Sequence, residues 1–380
     1  MKRRILVTTG TRAEYGILRK LLEEIKNSKK LELVLVVTGS HLLKKHGYTI
    51  QEIKDDGFKI DAKIKFDLKK DDAFSNSIAL GKLIIDFAKI FKKFKPDINI
   101  VLGDRDEMLS SAVAASHMNI PNAHIHGGDV SGGMDEYNRH AITKLSNIHF
   151  AATKKSKERI LKMGENPKFV FNTGSPSMDA IMANEITKKN ILEKKYGVTF
   201  TGSEILLVQH SVTTEINQSK KQIETTLKAI SKTKKTTIVI APNTDPGNLA
   251  IFNTLREYTN KNNFIKYFQN MPRSDYLGFL KNCAVLVGNS SSGIIESTLF
   301  DTAVINLGIR QKGRERGNNV IDIEQPTSTK IYTEIVKTLK KSKNKNKIRP
   351  FGDGKSSKRI VKYLEHIPIN KKLIQKQISY

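Results

Sequence analysis

The sequence predicts an α/β protein built from two doubly wound parallel sheets, and three observations predict it. Short unbroken apolar runs alternate with amphipathic helical runs nearly from end to end. Strands read this way when helices cover both faces of their sheet. The alternation lapses near residues 175–190 and then starts again. A chain of 380 residues also has the length of two ordinary domains.

In the first half, residues 4–9 form a short β-type run, and residues 13–26 carry Leu18, Leu21, Leu22 and Ile25 at helical spacing. Residues 31–38 are a Val- and Leu-rich strand, and residues 75–93 a long amphipathic helix. A strand at 97–102, a helix at 107–117 and a strand at 122–125 follow. The second half repeats the theme, with strands at 204–208, 236–241, 264–267, 284–287 and 303–306. Helical runs at 220–231, 249–259, 274–282 and 293–300 lie among them, and residues 355–365 make one more amphipathic helix. The expected division is an N-terminal domain at 1–178, a C-terminal domain at 179–354, and a helix and tail at 355–380 able to pack back on the first. Two such sheets in tandem predict an interdomain cleft at the carboxyl ends of their strands, where α/β proteins bind ligands.

Composition narrows the class. Hydrophobic residues make up 38% and charged residues 27%, enough for a real core under a polar surface. The single cysteine, Cys283, excludes an internal disulfide and fits a reducing compartment. Near the start the apolar run is only Ile5, Leu6 and Val7, too short for a signal peptide, and no run reaches membrane-spanning length. A cytoplasmic protein without a membrane partner is expected. The net charge of +27 raises nucleic acid as a partner. Against it, the lysines are scattered apart from one dense tract at 337–347, aromatic residues are sparse, and no nucleic-acid motif accompanies them. A solvated lysine-rich surface is the reading adopted, with a positive field that draws in an anionic substrate.

Polar clusters fall where strands should end. Gly10-Thr11-Arg12-Ala13-Glu14-Tyr15-Gly16 opens the first helix, and Arg12 with the helix amides suits a phosphate; the alternative is an ordinary βα turn. Its glycine spacing is not that of a dinucleotide fingerprint. In Gly103-Asp104-Arg105-Asp106-Glu107, Asp104 is placed as an acid or base and Arg105 as an anion ligand, with helix capping by Asp104 or Asp106 as the alternative. The richest segment runs from His124 to His140, HIHGGDVSGGMDEYNRH. His124, His126, Asp129, Asp135, Glu136, Arg139 and His140 are its candidates for acid–base chemistry. A zinc site built on the two histidines at 124 and 126 is the competing reading, and it lacks a clear third ligand. His210 follows the first strand of the second half. Gly288-Asn289-Ser290-Ser291-Ser292-Gly293 can cradle a diphosphate, and Glu296 can accept from ribose hydroxyls, though no Walker lysine is present. Residues 308–317 bring Arg310, Lys312, Arg314 and Arg316 after a strand end.

Taken as an ordered set, these motifs resemble the hydrolysing UDP-N-acetylglucosamine 2-epimerases of sialic acid biosynthesis and their legionaminic acid relatives. The resemblance rests on GTRAEYG, TGSHL, LGDRDE, HIHGGDVSGGMDEYNRHAITKLSNIH, QHSVTTEI, PNTDPGN, GNSSSGIIE and INLGIRQKGRERG, and spans nearly the whole chain. It implies a glycosyltransferase-B-like architecture of two Rossmann-like domains, catalytic loops in the first and nucleotide binding in the second. The implied reaction removes the sugar C2 proton as UDP leaves C1, giving a 2-acetamidoglucal; water then adds, and reprotonation inverts C2. Neither a redox cofactor nor an essential metal is implied, and a homodimer or homotetramer is expected. Carried over by position, Asp104, Asp135, Arg139 and His210 match catalytic groups. Arg12, Arg105, Asn243, Ser290, Ser291, Glu296 and Arg310 match nucleotide contacts. Many members read HIEGGE with a catalytic first glutamate, whereas this chain reads HIHGGD. His126 therefore stands in that place, as in some bacterial sialic acid enzymes, and either His126 or Asp129 takes over the role. The alternatives are a diacetamido-trideoxyhexose on UDP or GDP as substrate, a non-hydrolysing epimerase, a glycosyltransferase of the same fold, and a charge-driven nucleic acid binder.

Overall fold

Strand β1 (Arg3–Thr9) is sealed on both faces, with Ile5, Leu6 and Val7 fully buried. It pairs in parallel with β2 (Leu31–Val37), which pairs with the short β3 (Ala62–Lys63). On its other side stand β4 (Ile98–Leu102), β5 (Asn122–Ile125), β6 (Ile148–Ala151) and β7 (Val170–Asn172). The order β3-β2-β1-β4-β5-β6-β7 reverses direction at β1 and β4, which is a doubly wound sheet. A second parallel sheet contains β8 (Ile205–Val208), β9 (Thr237–Ile240), β10 (Ile265–Phe268), β11 (Val285–Gly288), β12 (Ala303–Leu307) and β13 (Val320–Ile323). Its order, β10-β9-β8-β11-β12-β13, turns at β8 and β11 in the same way. The computed structural model describes residues 2–43, 48–66, 73–130, 134–182, 186–242, 247–340 and 348–379.

The chain divides into two compact units, one of Met1–Asp129, Asp135–Ala183 and Phe351–Tyr380, the other of Val130–Met134 and Asn184–Pro350. Re-entry into the first unit is anchored twice. The buried carboxylate of Asp179 accepts from the backbone N–H groups of Ser356 and Ser357, at the start of helix Ser356–His366. A carboxylate there satisfies orphan amide donors and complements the helix dipole. Further on, Glu165 binds Lys376, and Asn147 Nδ2 donates to the Leu373 carbonyl at 2.7 Å. Ile360, Val361, Leu364 and Leu373 thereby join the core that also holds Leu21, Leu22 and Ile25.

The helix at the start of the chain shows how local sequence sets an element. Thr11 caps helix Arg12–Asn27 by accepting from Glu14 N–H, while Glu14 Oε2 accepts from the Thr11 and Gly10 amides at 3.0 and 2.9 Å. This capping box is worth about 1 kcal/mol for its threonine alone. The run expected as one helix at 293–300 is instead two short helices, Ser291–Ile294 and Ser297–Phe300. Ser297 and Thr298 hydroxyls donate to the carbonyls of Gly293 and Ile295, local bonds that compete with a continuous helical ladder. Strands β6, β7 and β13 and helix Ser328–Lys340 were absent from the sequence expectation. Among the described residues no helix is long and apolar enough to cross a membrane. Part of the lysine tract at 337–347 lies outside the described residues.

Candidate active site

Arg139 is the centre of the polar cluster in the first unit. It projects from helix Met134–Leu145 and is only 3% exposed. One guanidinium nitrogen pairs with Asp104, in the turn after β4, and another donates to the His126 carbonyl at 2.9 Å. Burial works against its charge, but Asp104, Asp129, Asp135 and Glu136 outweigh that and raise its hold on the proton. The structure thus gathers Asp104, Asp129, Asp135 and Arg139 into one electrostatic group, with His126 bonded into it.

His126 follows β5 with φ of +64°, a left-handed backbone that side chains other than glycine seldom adopt. Such residues cost of order 1–3 kcal/mol and gather at functional sites. Its Nδ1 lies 3.0 Å from Asp129 Oδ2, and its Nε2 lies 2.9 Å from Ser175 Oγ. Gly128, at φ +72°, lets the chain pass close under helix Lys154–Lys162; a Cβ there would collide with the Ser156 carbonyl oxygen. Ser156 Oγ in turn donates to Asp129 Oδ1 at 2.6 Å.

A second polar group lies at the ends of β1, β2 and β4. Arg105 Nε donates to Glu107 Oε2 at 3.3 Å, and Glu107 is buried near Glu14 beneath Gly10. Burial pushes the Glu14 carboxyl up to about 7, with Arg105 opposing and Glu107 adding to the rise. His41 is fully buried between Thr9 and Thr49 hydroxyls, and desolvation holds its imidazole down to about 4. Arg12 Nε bonds Glu52 at 2.9 Å.

In the second unit Asn289 ties three loops together. Its side-chain amide exchanges two hydrogen bonds with the backbone of His210, at 2.7 and 2.9 Å. Its own carbonyl accepts from Arg310 at 3.3 Å and from Gln311 at 3.0 Å. Just before it, Gly288 has φ of +134°, and a Cβ would strike the Val208 carbonyl, so β8 and β11 meet this closely only through glycine. Ser290 caps the following helix by accepting from Ser292 N–H at 3.3 Å. Glu296 is buried, bonded to Arg273 and to the Ser292 hydroxyl.

A sequence model described as UDP-N-acetylglucosamine 2-epimerase matches residues 23–365. The chain is 38% identical over 383 residues to "UDP-N,N'-diacetylbacillosamine 2-epimerase (hydrolyzing)" of Legionella pneumophila, covering 100% of both. The chain belongs to the UDP-N-acetylglucosamine 2-epimerase family. A Campylobacter jejuni relative, "GDP/UDP-N,N'-diacetylbacillosamine 2-epimerase (hydrolyzing)", is 38% identical over 326 residues, covering 85% of each. In fold the chain is similar to the crystal structure of the Neisseria meningitidis UDP-GlcNAc 2-epimerase bound to UDP-GlcNAc. The TM-score is 0.81 at 18% identity, covering 95% of this chain and 99% of that one. Two doubly wound sheets in one chain make the fold of this epimerase glycosyltransferase-B-like.

The epimerase structure sorts the sequence candidates. His124 is fully buried, with Nε2 on the Gly103 carbonyl at 2.8 Å and Nδ1 on Thr143, and burial holds it down to about 3. The two rings face different partners, His124 Nε2 the Gly103 carbonyl and His126 Nε2 the Ser175 hydroxyl. Among the described residues no three His, Cys, Asp or Glu side chains are grouped to hold a metal ion. Neither Asp104 nor Asp106 caps the helix Asp106–His117; Arg105 occupies the cap position, and Asp106 accepts from Asn76 and Asn138. His140 pairs with Glu136 at 2.8 Å along its own helix. Asn243 lies outside the described residues. Sequence reasoning missed Ser175, the tie made by Asn289, and Arg273. Asn289 lies within the GNSSSG segment, but nothing in the local pattern around Arg273 or Ser175 announced their partners, that of Ser175 lying 49 residues away.

Proposed function

We propose that this epimerase hydrolyses UDP-linked 2-acetamido sugars with inversion at C2, preferring UDP-N,N'-diacetylbacillosamine and taking UDP-N-acetylglucosamine second. The full-length match at 38% identity to the hydrolysing Legionella enzyme carries this reading. In the proposed reaction the C2 proton leaves as UDP departs from C1, giving a 2-acetamidoglucal. Water adds its oxygen at C1, and a proton returns to C2 from the opposite face. The products are UDP and the free 2-epimeric sugar, N-acetylmannosamine in the case of UDP-N-acetylglucosamine. A sugar of that kind is a precursor for nonulosonic acids.

Each step needs groups of the kind the site contains. Proton transfer at a carbon requires a carboxylate or imidazole held in fixed geometry. Asp104, Asp135 and the His126–Asp129 couple are assigned that work, with Arg139 orienting Asp104 and the His126 backbone. Departure of a pyrophosphate requires cations and donors aimed at its oxygens. His210, Arg12, Arg105, Asn243, Ser290, Ser291 and Arg310 are assigned to UDP, and Glu296 to its ribose. A homodimer or homotetramer in the cytoplasm is the expected working form.

The test is turnover of each nucleotide sugar in heavy water, followed by proton NMR. Free 2-epimerised sugar carrying deuterium at C2, together with UDP, is the expected result. A product that retains UDP identifies the non-hydrolysing reaction instead. No turnover of either compound rejects the proposal.

A further inference from the structure

His126 is held at both ring nitrogens, and one holder comes from a loop to which the proposed reaction assigns no group. Asp129 faces Nδ1 at 3.0 Å, and Ser175 Oγ faces Nε2 at 2.9 Å. An ionised carboxylate only accepts, so the nitrogen facing Asp129, Nδ1, is the one that carries a hydrogen, and in the Nδ1–H tautomer Nε2 accepts from the serine hydroxyl. The chain of bonds continues outward at both ends. Asp129 accepts from Ser156 at 2.6 Å. Ser175 Oγ lies 2.8 Å from Ser177 Oγ and accepts from the Ser177 N–H at 3.3 Å. All five side chains are buried, so water does not compete for these bonds. The backbone is pinned as well: His126 N–H donates to the Phe150 carbonyl at 3.2 Å, and Ser175 N–H to the Phe351 carbonyl at 2.8 Å.

We propose that Ser175 is a positioning residue of the reaction, locking the His126 ring against Asp129 in the tautomer with its hydrogen on Nδ1. The proposal rests on the 2-epimerase reading and on the place of His126 in the proton-transfer group. Turning the ring breaks the bond at each nitrogen, and exchanging its tautomer breaks the bond to Asp129, which only accepts. The location of the ring proton is therefore set before substrate arrives, as proton transfer at a fixed centre requires. Phe351 opens the returning C-terminal segment, and Ser356 Oγ donates to the Gly174 carbonyl at 2.8 Å. That segment thus braces the loop from which Ser175 reaches the histidine.

The experiment compares the full chain with Ser175→Ala and Ser175→Cys. Nitrogen-15 spectra of the labelled histidine rings are recorded without substrate, and kcat and KM are measured on both nucleotide sugars. In the wild type His126 is expected as the single Nδ1–H tautomer. Ser175→Ala is expected to give mixed tautomers and a kcat lower by about tenfold, with KM within about twofold. Ser175→Cys, a side chain of similar shape with a weaker donor, falls between the two. Unchanged His126 ring resonances, or a change confined to KM, overturn the proposal. The spectra require no turnover. A wild-type chain inert towards both sugars, with ring resonances that still respond to Ser175→Ala, rejects the proposed function and leaves the tautomer lock in place.

Discussion

Replacing Glu165 with Gln removes the charge that fastens the end of the chain to the first unit. The Glu165 carboxylate is buried and binds Lys144 Nζ at 2.7 Å, Lys376 Nζ at 2.8 Å and His149 Nε2 at 3.1 Å. Burial alone would raise its pKa; the hydrogen bonds from His149, Lys144 and Lys376 overcome this and hold it at about 2, against an ordinary 4.5. Such a displacement corresponds to about 3 kcal/mol carried by the ionised form. The Lys144 side chain is 40% exposed, so water screens its share. About 2 kcal/mol is the figure to expect after that discount. The folded chain releases this proton more readily than the unfolded chain. Its stabilisation is therefore complete above pH 4.5 and is lost as pH falls towards about 2. Urea unfolding of wild type and Glu165→Gln from neutral pH to about pH 3 measures the gap, which should shrink by about half or more at the acid end. Hydrogen exchange supplies a local reading: the Ser379 amide, bonded to the Gly164 carbonyl at 2.9 Å, should open more readily in the variant. A loss of 2 kcal/mol corresponds to about 30-fold faster exchange. A gap equal at neutral and acid pH, with unchanged exchange at the tail, refutes the reasoning.

Three further outcomes follow from the same geometry. Asp104→Asn keeps the shape of the side chain but removes the charge facing Arg139; kcat should fall by about a thousandfold while UDP affinity by calorimetry stays within a few-fold. In Gly128→Ala the new Cβ meets the Ser156 carbonyl at a backbone φ of +72°. The variant should lose about 2 kcal/mol in denaturant unfolding, and wild-type stability would contradict the close approach. His41 and His124 are held neutral at about 4 and about 3 by burial, so the unfolded chain takes up protons before the folded one. Stability should fall as pH drops below about 6.5, in a measured unfolding free energy against pH, and a flat profile through that range would count against their burial.

By itself the sequence determined the parallel α/β alternation, the switch from one doubly wound half to the next, and the polar segments bearing Asp104, His126, Arg139 and His210. These follow from local rules: unbroken apolar runs mark strands covered on both faces, helical spacing marks the covering elements, and small polar residues mark strand ends. Strands as short as the three residues of β7 carry too little pattern to be read alone, and pairing with β6 makes them. Only the tertiary structure decided which candidates share an environment. His124 and His126 look alike in the sequence. One is closed off against a carbonyl, while the other, turned by a left-handed backbone, faces a carboxylate and a serine from a distant loop. Asp179 likewise meets Ser357 across a separation of 178 residues. Such partnerships depend on where the sheet and the returning chain bring backbone together, and no periodicity within a single segment encodes that.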